Sequence, residues 1–137
     1  MSVNFLFTCA AYPGTLNLEL FFLDVGPDAF FGSADSPESA GPGFGIATPE
    51  QEELRGSQVS LTRIEGAYAI VQALIARGVI GDFRAGDGKQ HPDILRFGLT
   101  PLYLGYADVW HAVRHLKEVM DSQEWQQARF SQKQAVT

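Results

Sequence analysis

VIGDFRAGDGKQHPDILRFGLTPLY, residues 79–103, is the stretch around which the rest of the chain is arranged. It predicts two short strands, Val79–Arg84 and Ile94–Leu99, joined by a polar loop carrying Gly86, Gly88 and Pro92. A strand alternates faces, so Leu95 and Phe97 share one face and Arg96 points to the other. An arginine there offers a planar fork of donors suited to gripping a carboxylate, or it is an ordinary surface arginine on a half-exposed sheet. The strand pattern alone is compatible with both.

Outward from this stretch, helical patterns stand on either side. Upstream, Gln58–Leu61 predicts a short strand with Val59 and Leu61 on one face. Thr62 with Glu65 three residues on predicts a capping box. The helix then runs over Ile64–Arg77, with Ile64, Ala67, Tyr68, Val71, Leu74 and Ile75 as its apolar stripe and Gly78 as its C-terminal stop. Downstream, Ala107–Ser122 predicts a second helix, with Val109, Trp110, Val113, Leu116 and Met120 toward the core. Phe44–Ala47 predicts a short strand or lead-in, and Trp125 and Phe130 are the apolar anchors of a polar tail. The order β-α-β-β-α predicts an α+β fold. It is a two-layer sandwich with a small, mostly antiparallel sheet and the helices on one face. Arg96 is then expected on the sheet face opposite the helices, or at an edge.

The first third of the chain has a different texture. Residues 1–54 contain no Lys or Arg and eight acids, whereas residues 55–137 hold all ten basic residues and eight acids. Val3–Ala11 and Thr15–Val25 flank Tyr12-Pro13-Gly14, which predicts a β-hairpin within a segment, 1–32, of separate origin. Gly, Pro, Ser, Asp and Ala dominate from Gly32 on, which predicts a flexible linker over 33–43. The folded body is expected over 44–137.

With 137 residues the chain can bury one core, and a net charge of −6 argues against a general nucleic-acid binder. No run approaches the length of a membrane helix. Met1–Cys9 lacks a basic n-region and is not read as a signal peptide. Cys9 is the single cysteine, so no internal disulfide forms, and a reducing, cytoplasmic setting is expected.

Several motifs now fall in order: RGSQVSL (55–61), GAYAIVQALIARG (66–78), GDFR (81–84), PDILRFGLTPLY (92–103) and YADVW (106–110). Together they closely resemble the C-terminal small domain of bacterial kynureninases, from about Phe44 to the C-terminus. The resemblance implies the aspartate-aminotransferase fold, pyridoxal phosphate as cofactor, a homodimer, and hydrolysis of L-kynurenine to anthranilate and L-alanine in tryptophan breakdown. It also implies that Arg96, the arginine of the R-F-G-x-x-P-L-Y motif, binds the substrate α-carboxylate.

The departures are equally specific. Nothing in residues 1–43 resembles the family's large domain, which carries the Schiff-base lysine and the phosphate loop, and no lysine precedes Lys89. Gly86–His91 are six extra residues between the strands, and Arg63 stands where many relatives have histidine. The expectation is a chain that binds no pyridoxal phosphate alone and is inactive without a complementing large domain. The alternative is a non-catalytic oligomerisation or partner-binding module. In either case Phe97, Leu99, Leu102 and Tyr103 are expected as an exposed apolar surface, because the large domain that would cover it is missing.

Other constellations are weaker. His111 and His115 stand four apart on a helix, the spacing of a two-histidine metal site, but are expected to face solvent without a third ligand. His91, Asp87 and Asp93 are expected to be solubilising loop residues with nothing to orient them. Cys9 has no evident activating base. No catalytic residue and no metal ligand is assigned.

Overall fold

The structure, a computed structural model, describes residues 6–7, 16–17, 43–49, 54, 56–100 and 102–132. The expected linker over 33–43 lies outside these except for Gly43, as does most of the expected hairpin. Within that hairpin the backbones of β1 (Leu6–Phe7) and β2 (Leu16–Asn17) pair antiparallel, Leu6 with Asn17 and Phe7 with Leu16.

The body follows the predicted order, with additions at both ends. β3 (Gly45–Ile46), β4 (Gln58–Arg63), β5 (Asp82–Arg84) and β6 (Asp93–Gly98) form a fully antiparallel sheet in the order β3-β4-β6-β5. α1 (Ala67–Ala76) and α2 (Tyr106–Asp121) are followed by a 3-10 turn (Glu124–Gln126) and the short α3 (Ala128–Ser131). This is the expected small α+β domain. Its core joins Leu61 and Leu95 of the sheet to Ile70, Val71 and Leu74 of α1, Leu116 and Val119 of α2, Phe130 of α3, and Phe44.

The capping box at Thr62 does not form. Thr62 belongs to β4, held between Gly45 on one side and Ile94 on the other. Cross-strand pairing carries the strand on to Arg63, so the helix begins at Ala67 rather than Ile64, and Ile64 stays 87% exposed. The residue before the helix is Gly66, at φ +75°, a conformation that side-chain-bearing residues adopt only with strain. The trade suits the sheet, because the ladder satisfies backbone groups that a longer first helical turn would leave unpaired.

The buried face of α1 is also rotated from the predicted stripe. Ala67, Ile70, Val71 and Leu74 are its centre, and Ala69 and Ala73 are buried too, while Ile75 is 39% exposed. The segment AYAIVQALIA is apolar apart from Gln72 and the Tyr68 hydroxyl, so its periodicity barely distinguishes one face from another. Its C-terminus behaves as predicted. The Gly78 N–H donates to Ile75 C=O and the Val79 N–H to Leu74 C=O, both at 2.9 Å, with Gly78 at φ +86°. This is the Schellman closure, which uses carbonyls the helix leaves free.

α2 turns Leu116 and Val119 into the core, flanked by Val113 and Met120. Val119 was not in the predicted stripe, and Trp110 is only half-buried. Trp125 and Phe130 dock as expected: Phe130 is 5% exposed, and Trp125 packs on the core with its ring over Gly66. No helix among the described residues is long and apolar enough to cross a membrane.

Candidate functional site

The register of β6 decides what its residues can do. Ser60 of β4, Arg96 of β6 and Asp82 of β5 lie side by side, as do Leu61, Leu95 and Phe83 in the next row. Directly paired residues share a face. The Leu61–Leu95–Phe83 row faces the helices, with Leu95 fully buried. The Ser60–Arg96–Asp82 row is therefore on the open face. β6 is an interior strand, so Arg96 is on a face and not at an edge.

The loop that joins β5 to β6 is held closed by its own hydrogen bonds. The Asp87 carboxylate accepts the backbone N–H groups of Lys89, Gln90 and His91 at 2.8, 2.9 and 2.9 Å. These bonds hold its carboxyl below the usual carboxylate range, led by that from His91. The Asp93 carboxylate accepts the Gly86 N–H at 2.8 Å, and Asp87 N–H reaches His91 C=O at 3.2 Å across the neck. The expectation that nothing orients Asp87 and Asp93 is thus corrected: backbone donors of a tight loop hold both. His91 remains exposed, with Nε2 4.0 Å from Asp87.

Arg96 is half-buried and ion-paired with Asp82. Its Nε donates to Asp82 Oδ2 at 2.8 Å, and Nη2 donates to the same oxygen. Arg84 Nη2 approaches that oxygen at 3.3 Å. The Arg96 hydrogen bond, then the Arg84 and Arg96 charges, hold the Asp82 carboxyl below its usual range despite some desolvation. Asp82 was not singled out in the sequence. The signal was the GDFR motif itself, but which residue a strand places opposite Arg96 is a fact of register.

On the helix side a cavity of about 400 Å³ opens between the sheet and α1 and α2. Val59, Leu61, Phe97 and Leu116 form its apolar floor, and Arg77, His111 and His115 stand in its wall. Arg96 does not line it. Phe97, expected on an exposed surface, packs against the core instead, because odd-numbered β6 residues point to the helices. Leu102 and Tyr103 are exposed, at 91% and 75%.

The two α2 histidines part company. His111 is exposed. His115, expected in solvent, is half-buried, with Nδ1 3.5 Å from Arg77 Nη1 and 3.6 Å from Glu118 Oε2. No group of three or more His, Cys, Asp or Glu able to hold a metal occurs among the described residues. Arg63 packs on two rings, its guanidinium carbon 4.9 Å from the Phe44 centroid and 5.4 Å from that of Trp125. Its Nε donates to Glu65 C=O at 2.6 Å, while Nη1 is buried without a hydrogen-bond partner among the described residues. Burial lowers its pKa, and the nearby Glu65 charge opposes that shift.

Pyridoxal phosphate calls for a lysine in a pocket, phosphate donors and a carboxylate at the ring nitrogen. Of the three lysines, Lys89 is an exposed loop residue and Lys117 is paired with Asp121 on α2. Neither lines the cavity. Lys133 lies outside the described residues. The described residues therefore do not fit the cofactor.

Comparison with known proteins agrees with the motif pattern. The model of the kynureninase C-terminal domain family matches residues 29–116. Kynureninase of Burkholderia mallei (strain SAVP1) is 44% identical over 110 residues, 80% of this chain and 24% of the relative. Kynureninase of Pseudomonas fluorescens is 48% identical over 92 residues, 67% of this chain and 20% of the relative. This small α+β chain belongs to the kynureninase C-terminal domain family. It spans about a quarter or less of the length of these relatives.

Proposed function

We propose that this chain supplies the substrate-carboxylate grip of a kynureninase and that Arg96 is the gripping residue. The whole reaction, hydrolysis of L-kynurenine to anthranilate and L-alanine with pyridoxal phosphate, then needs a large domain that these 137 residues do not supply. The observation that supports this reading is the placement of Arg96: central in the sheet, on the face away from the helices, with its guanidinium held by Asp82. A grip must hold an amino acid in one orientation while chemistry proceeds elsewhere, and a pre-set planar fork does that.

The energetics limit what the chain does alone. A charge-assisted arginine–carboxylate contact contributes about 1.5–3 kcal/mol. Millimolar affinity already needs about 4 kcal/mol. The isolated chain is therefore expected to bind such substrates weakly, to take no cofactor as a Schiff base, and to turn over no kynurenine. The same reading has it working in the cytoplasm, docked to a complementing large domain or to further copies of itself through Leu102 and Tyr103.

The test is anthranilate fluorescence with kynurenine and pyridoxal phosphate. The chain is assayed alone and mixed with Burkholderia mallei kynureninase lacking the segment that this chain matches. Activity is expected only in the mixture, and Arg96→Ala should remove most of it. Equal activity of Arg96→Ala and the unaltered chain in the mixture would refute the grip. A robust signal from the chain alone would show that it carries its own cofactor site.

A further inference from the structure

We infer that Asp82 is a positioning residue, which holds Arg96 by one edge so that the other edge is presented to a carboxylate ligand. The inference rests on the carboxylate-gripping reading of Arg96 and goes beyond it by assigning a role to a second residue. A guanidinium has two edges that match a carboxylate: the side edge, made of Nε and one Nη, and the end edge, made of both Nη groups. Asp82 takes the side edge, receiving Nε and Nη2 on Oδ2. Arg96 makes no other hydrogen bond among the described residues, so Nη1 and the outward N–H of Nη2 remain to form the end-on fork.

The sheet makes this hold rigid. Asp82 and Arg96 are direct cross-strand partners on β5 and β6. Both backbones are fixed by the ladder, so the ion pair only has to order side chains that already face one another. Ser60 stands on the far side of Arg96 in the same row.

The charge balance is consistent with a ligand. Arg84 also reaches Asp82 Oδ2, at 3.3 Å, so two arginines share one carboxylate and the patch retains a net positive charge. The remaining even-numbered β6 residues, Ile94 and Gly98, and the β4 residues Gln58, Ser60 and Thr62 add no negative charge to this face. An anion approaching the open face meets an oriented donor pair in a cationic setting.

Charge alone and positioning predict opposite results, which makes the experiment decisive. Removing a negative charge beside a cationic site should tighten anion binding if Asp82 merely competes for Arg96. If Asp82 positions the fork, removing it should weaken binding. The full chain, labelled with 15N, is titrated with L-alanine and separately with acetate at neutral pH, following arginine Nε–H signals by NMR. Arg96→Ala is expected to lose at least tenfold in affinity, Asp82→Ala about tenfold, and Asp82→Asn threefold or less, because the amide oxygen still accepts Nε and Nη2. The Arg96 Nε–H signal should be visible in the unaltered chain and in Asp82→Asn, and broadened in Asp82→Ala.

Tighter binding by both Asp82 variants would overturn the inference and make Asp82 a competitor for the site. Unchanged binding in Asp82→Ala, with Arg96→Ala still impaired, would overturn it while leaving the grip in place. Unchanged binding in Arg96→Ala would instead remove the grip itself, and the inference with it. If Asp82→Ala loses its dispersed amide spectrum, Asp82→Asn decides: tighter binding than the unaltered chain refutes positioning, and retained binding with a sharp Arg96 Nε–H signal supports it.

Discussion

Arg77 and Glu124 meet through two hydrogen bonds on a single carboxylate oxygen, Nε at 3.0 Å and Nη2 at 2.6 Å from Glu124 Oε2. Arg77 closes the C-terminal end of α1, and Glu124 begins the turn after α2. Its remaining Nη1 reaches Glu118 Oε2 at 2.5 Å. One guanidinium thus ties together three elements that are far apart in sequence. The hydrogen bonds that Arg77 donates, first to Glu124 and then to Glu118, raise its pKa against a desolvation cost.

Because only 26% of the Arg77 side chain and 17% of that of Glu124 are exposed, this pair should matter more than an ordinary surface ion pair. Arg77→Ala is expected to destabilise the fold by about 1–3 kcal/mol in urea unfolding. Arg114→Ala, which removes an exposed partner 3.6 Å from Glu118, should cost under about 0.5 kcal/mol. Similar losses for the two variants would show that the Arg77 cluster behaves as plain surface charge.

Gly66 should tolerate no side chain. Its φ of +75° strains any L-residue, and an added Cβ would lie 2.3 Å from the Trp125 ring. Gly66→Ala is expected to lose about 2–4 kcal/mol, roughly 1 from the backbone and the rest from displacing the indole. Combined with Trp125→Ala it should lose less than the sum of the two single changes, because the ring that clashes is gone. Strict additivity in a double-mutant cycle would mean that the ring is not seated over Gly66.

Neighbouring residues of β6 should differ sharply. Leu95 is fully buried, so Leu95→Ala is expected to cost about 2–5 kcal/mol. Ile94, on the open face and half-buried, should cost less than half as much when cut to Ala. The reverse order in thermal or urea unfolding would mean a register slipped by one residue, which would also send Arg96 toward the helices.

Acid should unfold the domain through identifiable carboxylates. Asp82, Asp87 and Glu118 are held below ordinary values of 3.8, 3.8 and 4.5, chiefly by the Arg96 hydrogen bond, the His91 backbone N–H and the Arg77 hydrogen bond respectively. A carboxylate with a depressed folded-state pKa stabilises the fold above its unfolded pKa, and that stability is lost as pH falls through the folded value. Stability is therefore expected to be level from about pH 7 to 5 and to fall below about pH 4.5. Asp87→Asn should flatten that fall while keeping an acceptor for the loop. Urea midpoints from pH 7 to 2.5 check both points, and a midpoint rising toward low pH would contradict the pairing.

Much of the domain was legible from residue order. The β-α-β-β-α sequence, the Gly78 stop and the docking of Trp125 and Phe130 follow from local chemistry: alternation, helical period, a glycine at positive φ and isolated apolar anchors in a polar tail. The start of α1 was not legible. Thr62 and Glu65 have the right types for a capping box, but Thr62 also faces partners in β3 and β6, and two neighbouring strands outweigh one side-chain cap. The buried face of α1 was hidden for another reason: a helix apolar nearly all round is assigned a face only by what packs on it.

The candidate site divides in the same way. That Arg96 lies opposite Leu95 and Phe97 on a strand, and that its motif is that of the kynureninase C-terminal domain, the amino-acid sequence by itself determined, because alternation and motif are properties of adjacent residues. That β6 is an interior strand, that the loop before it is closed by backbone bonds to Asp87 and Asp93, and that Asp82 stands opposite Arg96 and takes one edge of its guanidinium, follow only from the tertiary structure. Strand order and register come from pairing between segments distant along the chain, and no local pattern encodes which residue a partner strand will set across the ladder.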